Sequence, residues 1–345
     1  MVMKRNMQMN FRFLSVLCLS LVLGFGYRAL AQNDSVVRPV RPLPPLEYAD
    51  SSTHLYVVRG ADSLYLNLYH PREWRAGHPT VVYLYGGAFI HGHRNDRQTR
   101  LDAGALLRNG YAVVAIDYRK FFANVNFEEV PRVKMLDLMD SAFNYAAADC
   151  AAAVAFLVEH RDSLRIDTSA VMLAGSSAGA ISVLQLDFAR CNGWATAAEL
   201  PEGFRPAAVV AYAGAIFNHN GALHYAAEPA PTAFFFGDAD RVVPYRCISL
   251  FCNHYGGGAC LTDEFADNNY VYWTFRYRKH GHEVAGYLYR TMSEFNAFVD
   301  AIFAGRRVHY DTECSSDELK VSKASKYKLS DLLNLSQDEI KDLFD

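Results

Sequence analysis

Three fragments, in the order the chain runs, restrict what it can fold into more than any other feature. They are Gly175-Ser176-Ser177-Ala178-Gly179, Gly237-Asp238-Ala239-Asp240-Arg241-Val242-Val243-Pro244 and His280-Gly281-His282-Glu283. The first comes after the apolar run 170–174 and opens a segment of helical spacing, 178–186. It reads as a strand, a sharp turn and a helix. A residue at the tip of such a turn is forced toward positive φ, which is costly for any residue with a Cβ. Gly175 and Gly179 remove the side chains that would collide in so tight a bend. Ser177 is therefore the candidate nucleophile, because a frame centred on Ser176 places alanines, Ala174 and Ala178, at the flanking positions. The helix that starts after Ser177 also aims its positive end at any negative charge formed there.

The rest of the chain supplies the sheet that such a turn needs. Apolar runs predict strands at 54–59, 64–70, 80–85, 112–118, 170–174, 207–213, 232–236 and 270–277. A long alanine-rich helix is expected over 140–161 and a closing helix over 292–303. Strands alternating with helices imply a largely parallel sheet. At 345 residues, 51% of them apolar, the chain can bury one sizeable core, and one α/β domain over 50–310 fits better than two. Before it lies a proline-rich lead-in, 32–49, and after it a charged helical tail, 311–345, with a capping box at Ser336-Gln337-Asp338-Glu339. A net charge of −3 and the lack of a basic stripe argue against nucleic acid as a partner.

A fourth fragment carries a resemblance. The strand 80–85 runs directly into Gly86-Gly87-Ala88-Phe89, and the strand 112–118 ends in Asp117-Tyr118-Arg119. With the serine, acid and histidine fragments in that order, residues 50 to 305 resemble the α/β-hydrolase carboxylesterases. The likeness lies near the hormone-sensitive-lipase-like esterases and the bacterial esterases of plant cell-wall polysaccharides. The resemblance implies an α/β-hydrolase fold, a mostly parallel central sheet flanked by helices. It implies Ser177 as nucleophile, His282 as base and Asp240 as the acid that orients it, the acid standing three residues after the strand-ending glycine. Asp238 and His280 are the rivals. Main-chain N–H groups of Gly87, Ala88 and Ala178 would form the oxyanion hole. Two residues depart from the family loop: Tyr85 stands for a histidine and Ala88 for a third glycine. The donors are backbone groups, so neither change deletes one.

The resemblance implies a serine hydrolase that cleaves carboxylic esters, acetyl or feruloyl esters on polysaccharide among them, with no cofactor and no metal. The alternatives are a peptidase on the same fold and a catalytically silent binding protein. Only 214–231 separates two predicted strands where a lid would be inserted, so little or no cap is expected, which suits bulky alcohol groups. The segment 120–138 is expected to form one wall of the cleft.

Lys4, Arg5 and Arg12 precede the apolar run 13–26, and Ala29-Leu30-Ala31 has the small residues of a cleavage site. Residues 1–31 thus read as a signal peptide, which implies an exported protein, periplasmic or extracellular, with no stable membrane anchor after cleavage. Of seven cysteines, six remain once Cys18 is removed. In an oxidising compartment they read as disulfides or buried thiols, with 15 pairings open. A bridge from Cys252 to Cys260 would close the loop between them. A metal set of Cys247, Cys252, His254 and Cys260 is disfavoured by its spacing. His91 and His93 lack a third ligand at suitable spacing, and Arg94, Arg97 and Arg100 read as a solvated face or as contacts to a polar substrate.

Overall fold

Apolar runs long enough to be buried on both faces make the centre of this protein, because parallel strands covered by helices on either side have no solvent face. The computed structural model describes residues 42–314 except 76, 128, 132, 133 and 251. The expected signal peptide, residues 32–41 of the lead-in and the tail from 315 with its capping box lie outside the described residues.

In chain order the elements are β1 (Asp50–Arg59), β2 (Asp62–His70), β3 (Thr80–Leu84), α1 (Arg97–Arg108), β4 (Ala112–Ile116), α2 (Met135–Glu159), β5 (Val171–Ser176), α3 (Ala178–Cys191), β6 (Val209–Tyr212), β7 (Ile216–Asn218), β8 (Thr232–Gly237), β9 (Ile248–Leu250), β10 (Asn253–Gly256), α4 (Gly258–Asp267), β11 (Tyr272–Tyr277), α5 (Met292–Phe303) and β12 (His309–Cys314). A nine-stranded sheet has the order β1-β2-β4-β3-β5-β6-β8-β11-β12. β1 and β2 form an antiparallel hairpin, β2 meets β4 antiparallel, and every later neighbour is parallel. All positions of β3, β4, β5, β6 and β8 are buried.

Helix α2 begins at Met135, five residues before the sequence suggests. Asp137 sits in its first turn, where a negative charge complements the helix dipole, and pairs with Lys134 at 3.2 Å. Ala142, Ala146 and Ala153 on its inner side are fully buried, and small residues there let α2 pack closely on α3. Helix α1 has no counterpart among the expected elements. Its buried positions Thr99, Ala103, Leu106 and Leu107 have helical spacing, masked in the sequence by interleaved arginines. Those arginines have partners within the protein. Arg97 and Arg100 donate to the carbonyls of Pro42 (3.1 Å) and Pro44 (2.9 Å), and so dock the lead-in. Arg94 pairs with Asp117, bonds Asn67 Oδ1 at 3.1 Å and lies over the Tyr65 ring.

Two further differences concern the sheet margins. β12 crosses the expected boundary at 310/311 and pairs in parallel with β11 through Cys314. The segment between β6 and β8 carries β7, which joins β10 and β9 in a separate three-stranded antiparallel sheet. Strands of three or four residues that pair across distant segments have no periodicity to read. A disulfide links Cys247 to Cys260, not Cys252 to Cys260. Cys252 is an exposed thiol, while Cys150 and Cys191 are buried and unpaired.

Candidate functional site

The turn between β5 and α3 takes the strained shape its glycines allow. Ser177 has φ 51° and ψ −116°. A Cβ on Gly175 would stand 2.3 Å from the carbonyl carbon of Gly179, and one on Gly179 would stand 2.0 Å from the Leu84 carbonyl oxygen at the end of β3. Those distances exclude any side chain at either position. The N–H of Ser177 donates to Tyr212 O on β6 at 2.8 Å, so the turn is held from both sides. The neighbouring serine has a different task. Ser176 is buried and donates to Ala285 O at 2.6 Å, tying the turn to the segment after His282.

Beyond β3 the chain enters the Gly86–Gly87–Ala88–Phe89 loop. Gly87, Ala88 and Phe89 have φ of 140°, 53° and 58°. The N–H groups of Ile90 and His91 both donate to Gly87 O at 2.9 Å, which curls the loop. Among the described residues no acceptor takes the N–H of Gly87, Ala88 or Ala178. Gly86 brings the loop against the turn, since a Cβ there would lie 3.2 Å from that of Ser177. Tyr85 stacks on Tyr118 with ring centres 4.6 Å apart, and Tyr118 donates its hydroxyl to Tyr85 O at 2.8 Å. That aromatic pair supports the loop from behind.

The acid and the base arrive from the ends of β8 and β11. His282 Nε2 lies 2.8 Å from Ser177 Oγ, and its Nδ1 lies 2.8 Å from Asp240 Oδ2. Asp240 Oδ1 accepts the N–H groups of Val242 (2.8 Å) and Val243 (3.0 Å), so the carboxylate is aimed by its own turn. The structure thus lines up Ser177, His282 and Asp240, with Ala178 next in the chain and the loop at Gly86 against the serine.

The two rivals sit elsewhere. Asp238 accepts the N–H of Lys279 at 2.6 Å and braces the base loop. His280 is buried, with Nδ1 3.1 Å from Tyr287 Oη and 3.2 Å from Glu283 Oε1. Glu283 Oε2 accepts the N–H of Gly281 at 3.0 Å, and Ala239 donates to His280 O at 2.9 Å. A Cβ on Gly237 would come within 2.3 Å of that same carbonyl oxygen. Acid turn and base loop are therefore interlocked through backbone contacts on which sequence is silent. His93 is tied into the loop after Phe89, accepting the N–H of Asn95 at 3.1 Å.

One supporting group could not have been read from the sequence. Asp102 on α1 is fully buried and accepts from Tyr83 Oη (2.6 Å), Gln98 Nε2 (3.1 Å) and the N–H of Tyr289 (3.1 Å) in the segment beyond His282. Burial pushes its pKa from 3.8 up to about 7, against the downward pull of those donors. A carboxyl whose pKa is raised on folding binds its proton more tightly in the native state, so its contribution is complete below about pH 4 and is lost as pH rises through about 7. The expected result is that urea midpoints of the wild-type protein fall more steeply between pH 4.5 and 8 than those of Asp102→Asn, which stays neutral. Parallel curves for the two proteins would show that Asp102 is ionised throughout.

Comparison with known proteins bears on the fold. Residues 66–186 match the BD-FAE family model. Gut esterase 1 of Caenorhabditis briggsae is 30% identical over 127 residues, 37% of this chain; the chain spans only 21% of that relative. Among solved structures, the apo form of esterase 2 from Thermogutta terrifontis superposes with TM-score 0.53 at 16% identity, covering 76% of this chain and 97% of that one. A truncated carbohydrate esterase from gut microbiota superposes with TM-score 0.52 at 17% identity, covering 76% of this chain and all of that one. The fold is that of the α/β-hydrolases.

Proposed function

We propose that this α/β-hydrolase-fold chain is an exported serine esterase that hydrolyses carboxylic esters through an acyl-enzyme. The observation that carries the proposal is the line from Ser177 Oγ through the His282 ring to Asp240 Oδ2, both links 2.8 Å, at a turn held in positive φ. His282 Nε2 takes the proton of Ser177 as Oγ attacks the ester carbonyl, and Asp240 holds Nδ1–H and stabilises the imidazolium. The oxyanion of the tetrahedral intermediate is received by the N–H groups of Gly87, Ala88 and Ala178 at the start of α3. The imidazolium then protonates the leaving alcohol. Water, activated by the same ring, releases the acid and restores Ser177. Export rests on the residues of the leader alone.

The substrate class is argued from what surrounds the serine. Behind the oxyanion loop, Phe89 touches Phe143 at 5.2 Å between ring centres, and Phe143 touches Phe217 of β7 and Tyr255 of β10 at 6.3 and 6.4 Å. These rings are buried and packed on one another, and we take them to leave little room for a long acyl chain. Among the described residues no helix is inserted between β6 and β8 to cover a bulky alcohol. Likeness to a carbohydrate esterase supports a sugar or polysaccharide as that alcohol.

The test is labelling with a fluorophosphonate, then peptide mapping, and turnover of matched aryl esters and aryl amides. Label on Ser177 with ester turnover far above amide turnover is the expected outcome. No label would leave a silent binding protein, and dominant amide cleavage a peptidase. A chain-length series adds a second expectation. Each buried methylene contributes up to about 0.8 kcal/mol, nearly fourfold in rate constant. We expect kcat/KM to hold from acetyl to butyryl esters and to fall by octanoyl and palmitoyl. A steady rise toward palmitoyl would mean a lipase-like groove, and the polysaccharide reading would have to be abandoned.

A further inference from the structure

Cys247, His254 and Cys260 come together from three elements: just before β9, on β10 and in the first turn of α4. Their two sulfurs and one ring nitrogen all lie within 4.8 Å of one another. The sulfurs are joined as the disulfide, yet the histidine is aimed at them, with Nε2 3.4 Å from Cys260 Sγ. Its other nitrogen, Nδ1, is 2.8 Å from Ser249 Oγ. A metal-ligating histidine is oriented in this way, one nitrogen toward the ion and the other held by a hydrogen-bonding partner.

The distances suit one class of ion. A tetrahedral zinc with bonds of about 2.3 Å to sulfur and about 2.05 Å to nitrogen sets sulfur and nitrogen about 3.6 Å apart, and two sulfurs about 3.8 Å apart. The separation of His254 Nε2 from Cys260 Sγ, 3.4 Å, is already close to that value, and Cys247 Sγ lies within 4.8 Å. The Cα atoms of Cys247 and Cys260 are 5.2 Å apart, so side-chain rotation can part the sulfurs once the bond is open. Cys252 lies outside the cluster and is exposed.

We propose that Cys247, His254 and Cys260 form a zinc-type site that the disulfide closes and reduction opens. A dithiol reductant supplies two electrons and two protons and is itself oxidised to a disulfide; the Cys247–Cys260 bond breaks and two thiols form. Both thiols release their protons as the divalent ion bonds to each sulfur and to Nε2, with water as fourth ligand. Two thiolates and an imidazole select zinc or cobalt over magnesium or calcium. The ion replaces the covalent tie among β9, β10 and α4. This segment continues directly from the Asp240 turn: Ala259 donates to Tyr245 O at 2.8 Å, and a Cβ on Gly257 would stand 1.6 Å from Pro244 O. Under reducing conditions the ion therefore keeps the polypeptide beyond Asp240 in place.

The experiment is titration of the full chain with Co²⁺, oxidised and after reduction by a phosphine, read by absorbance, with circular dichroism to establish that the reduced protein is folded. The reduced protein is expected to bind one equivalent, with a thiolate-to-cobalt charge-transfer band and the visible bands of a four-coordinate ion. The oxidised protein should show neither. Zn²⁺ should displace the cobalt, His254→Ala should weaken binding at least about tenfold, and Cys252→Ser should leave it unchanged. Equal binding by oxidised protein, by His254→Ala or by reduced protein unfolded in urea would overturn the proposal, as would loss of binding in Cys252→Ser. None of these outcomes depends on Ser177 or on ester turnover, so the site stands or falls separately from the esterase reading.

Discussion

Ser177→Ala is expected to lower kcat for an aryl acetate by about 10⁶, to the level that oxyanion donors and binding alone would supply. It should also abolish fluorophosphonate labelling, while the melting temperature stays near that of the wild type. The fold is expected to survive because the serine contributes its backbone to the turn, through the 2.8 Å bond from its N–H to Tyr212 O, and alanine keeps that bond. Ser176→Ala gives the opposite pattern. It removes the donor to Ala285 O and leaves a buried carbonyl unpaired, a cost of about 1–3 kcal/mol. The melting temperature should fall, while kcat stays within about tenfold of wild type because the side chain touches no reacting atom. A phosphonate adduct on Ser176, or normal turnover by Ser177→Ala, would move the nucleophile.

Asp240→Asn is expected to reduce kcat by about 10⁴ with the protein fully folded. The reason lies in the two N–H groups of Val242 and Val243, which both point at Oδ1. An amide in this place must turn its oxygen toward them, and its NH₂ then faces His282 Nδ1. The ring must accept there, which puts the proton on Nε2, facing Ser177, in the tautomer that cannot take the serine proton. Asp238→Asn should cost far less, since an amide oxygen can still accept the N–H of Lys279. Steady-state kinetics of the two variants side by side decide the matter, and the reverse ranking would make Asp238 the acid.

Much of this site was legible because the chemistry demands particular residues at particular local spacings. A nucleophile at a positive-φ turn needs glycines two residues to either side, and Gly175 and Gly179 announce it without reference to anything distant. The acid and the histidine are narrowed to Asp240 or Asp238 and His282 or His280 by the family resemblance, since local spacing alone ranks neither pair. Continuous apolar runs likewise predict the buried parallel strands, since burial on both faces leaves no room for alternation.

The features that sequence left open have a common physical cause: the partners are far apart along the chain. The rank of Ser176 as a structural hydroxyl depends on Ala285, more than a hundred residues away. The choice between His280 and His282 depends on Glu283 and Tyr287 packing around one ring while Asp240 meets the other. Arg97 and Arg100 read as a polar face until α1 forms and brings them to the lead-in carbonyls. The small sheet of β7, β10 and β9 joins pieces of three or four residues from both sides of β8, and the Cys247–Cys260 pairing results from that docking. By itself the sequence determined the strained turn at Ser177 and the buried strands whose ends carry the candidate acids and histidines, because strain and burial are local demands. Only the tertiary structure decided which serine, acid, histidine and cysteine meet, because meeting is a property of packed distances, to which spacing along the chain is blind.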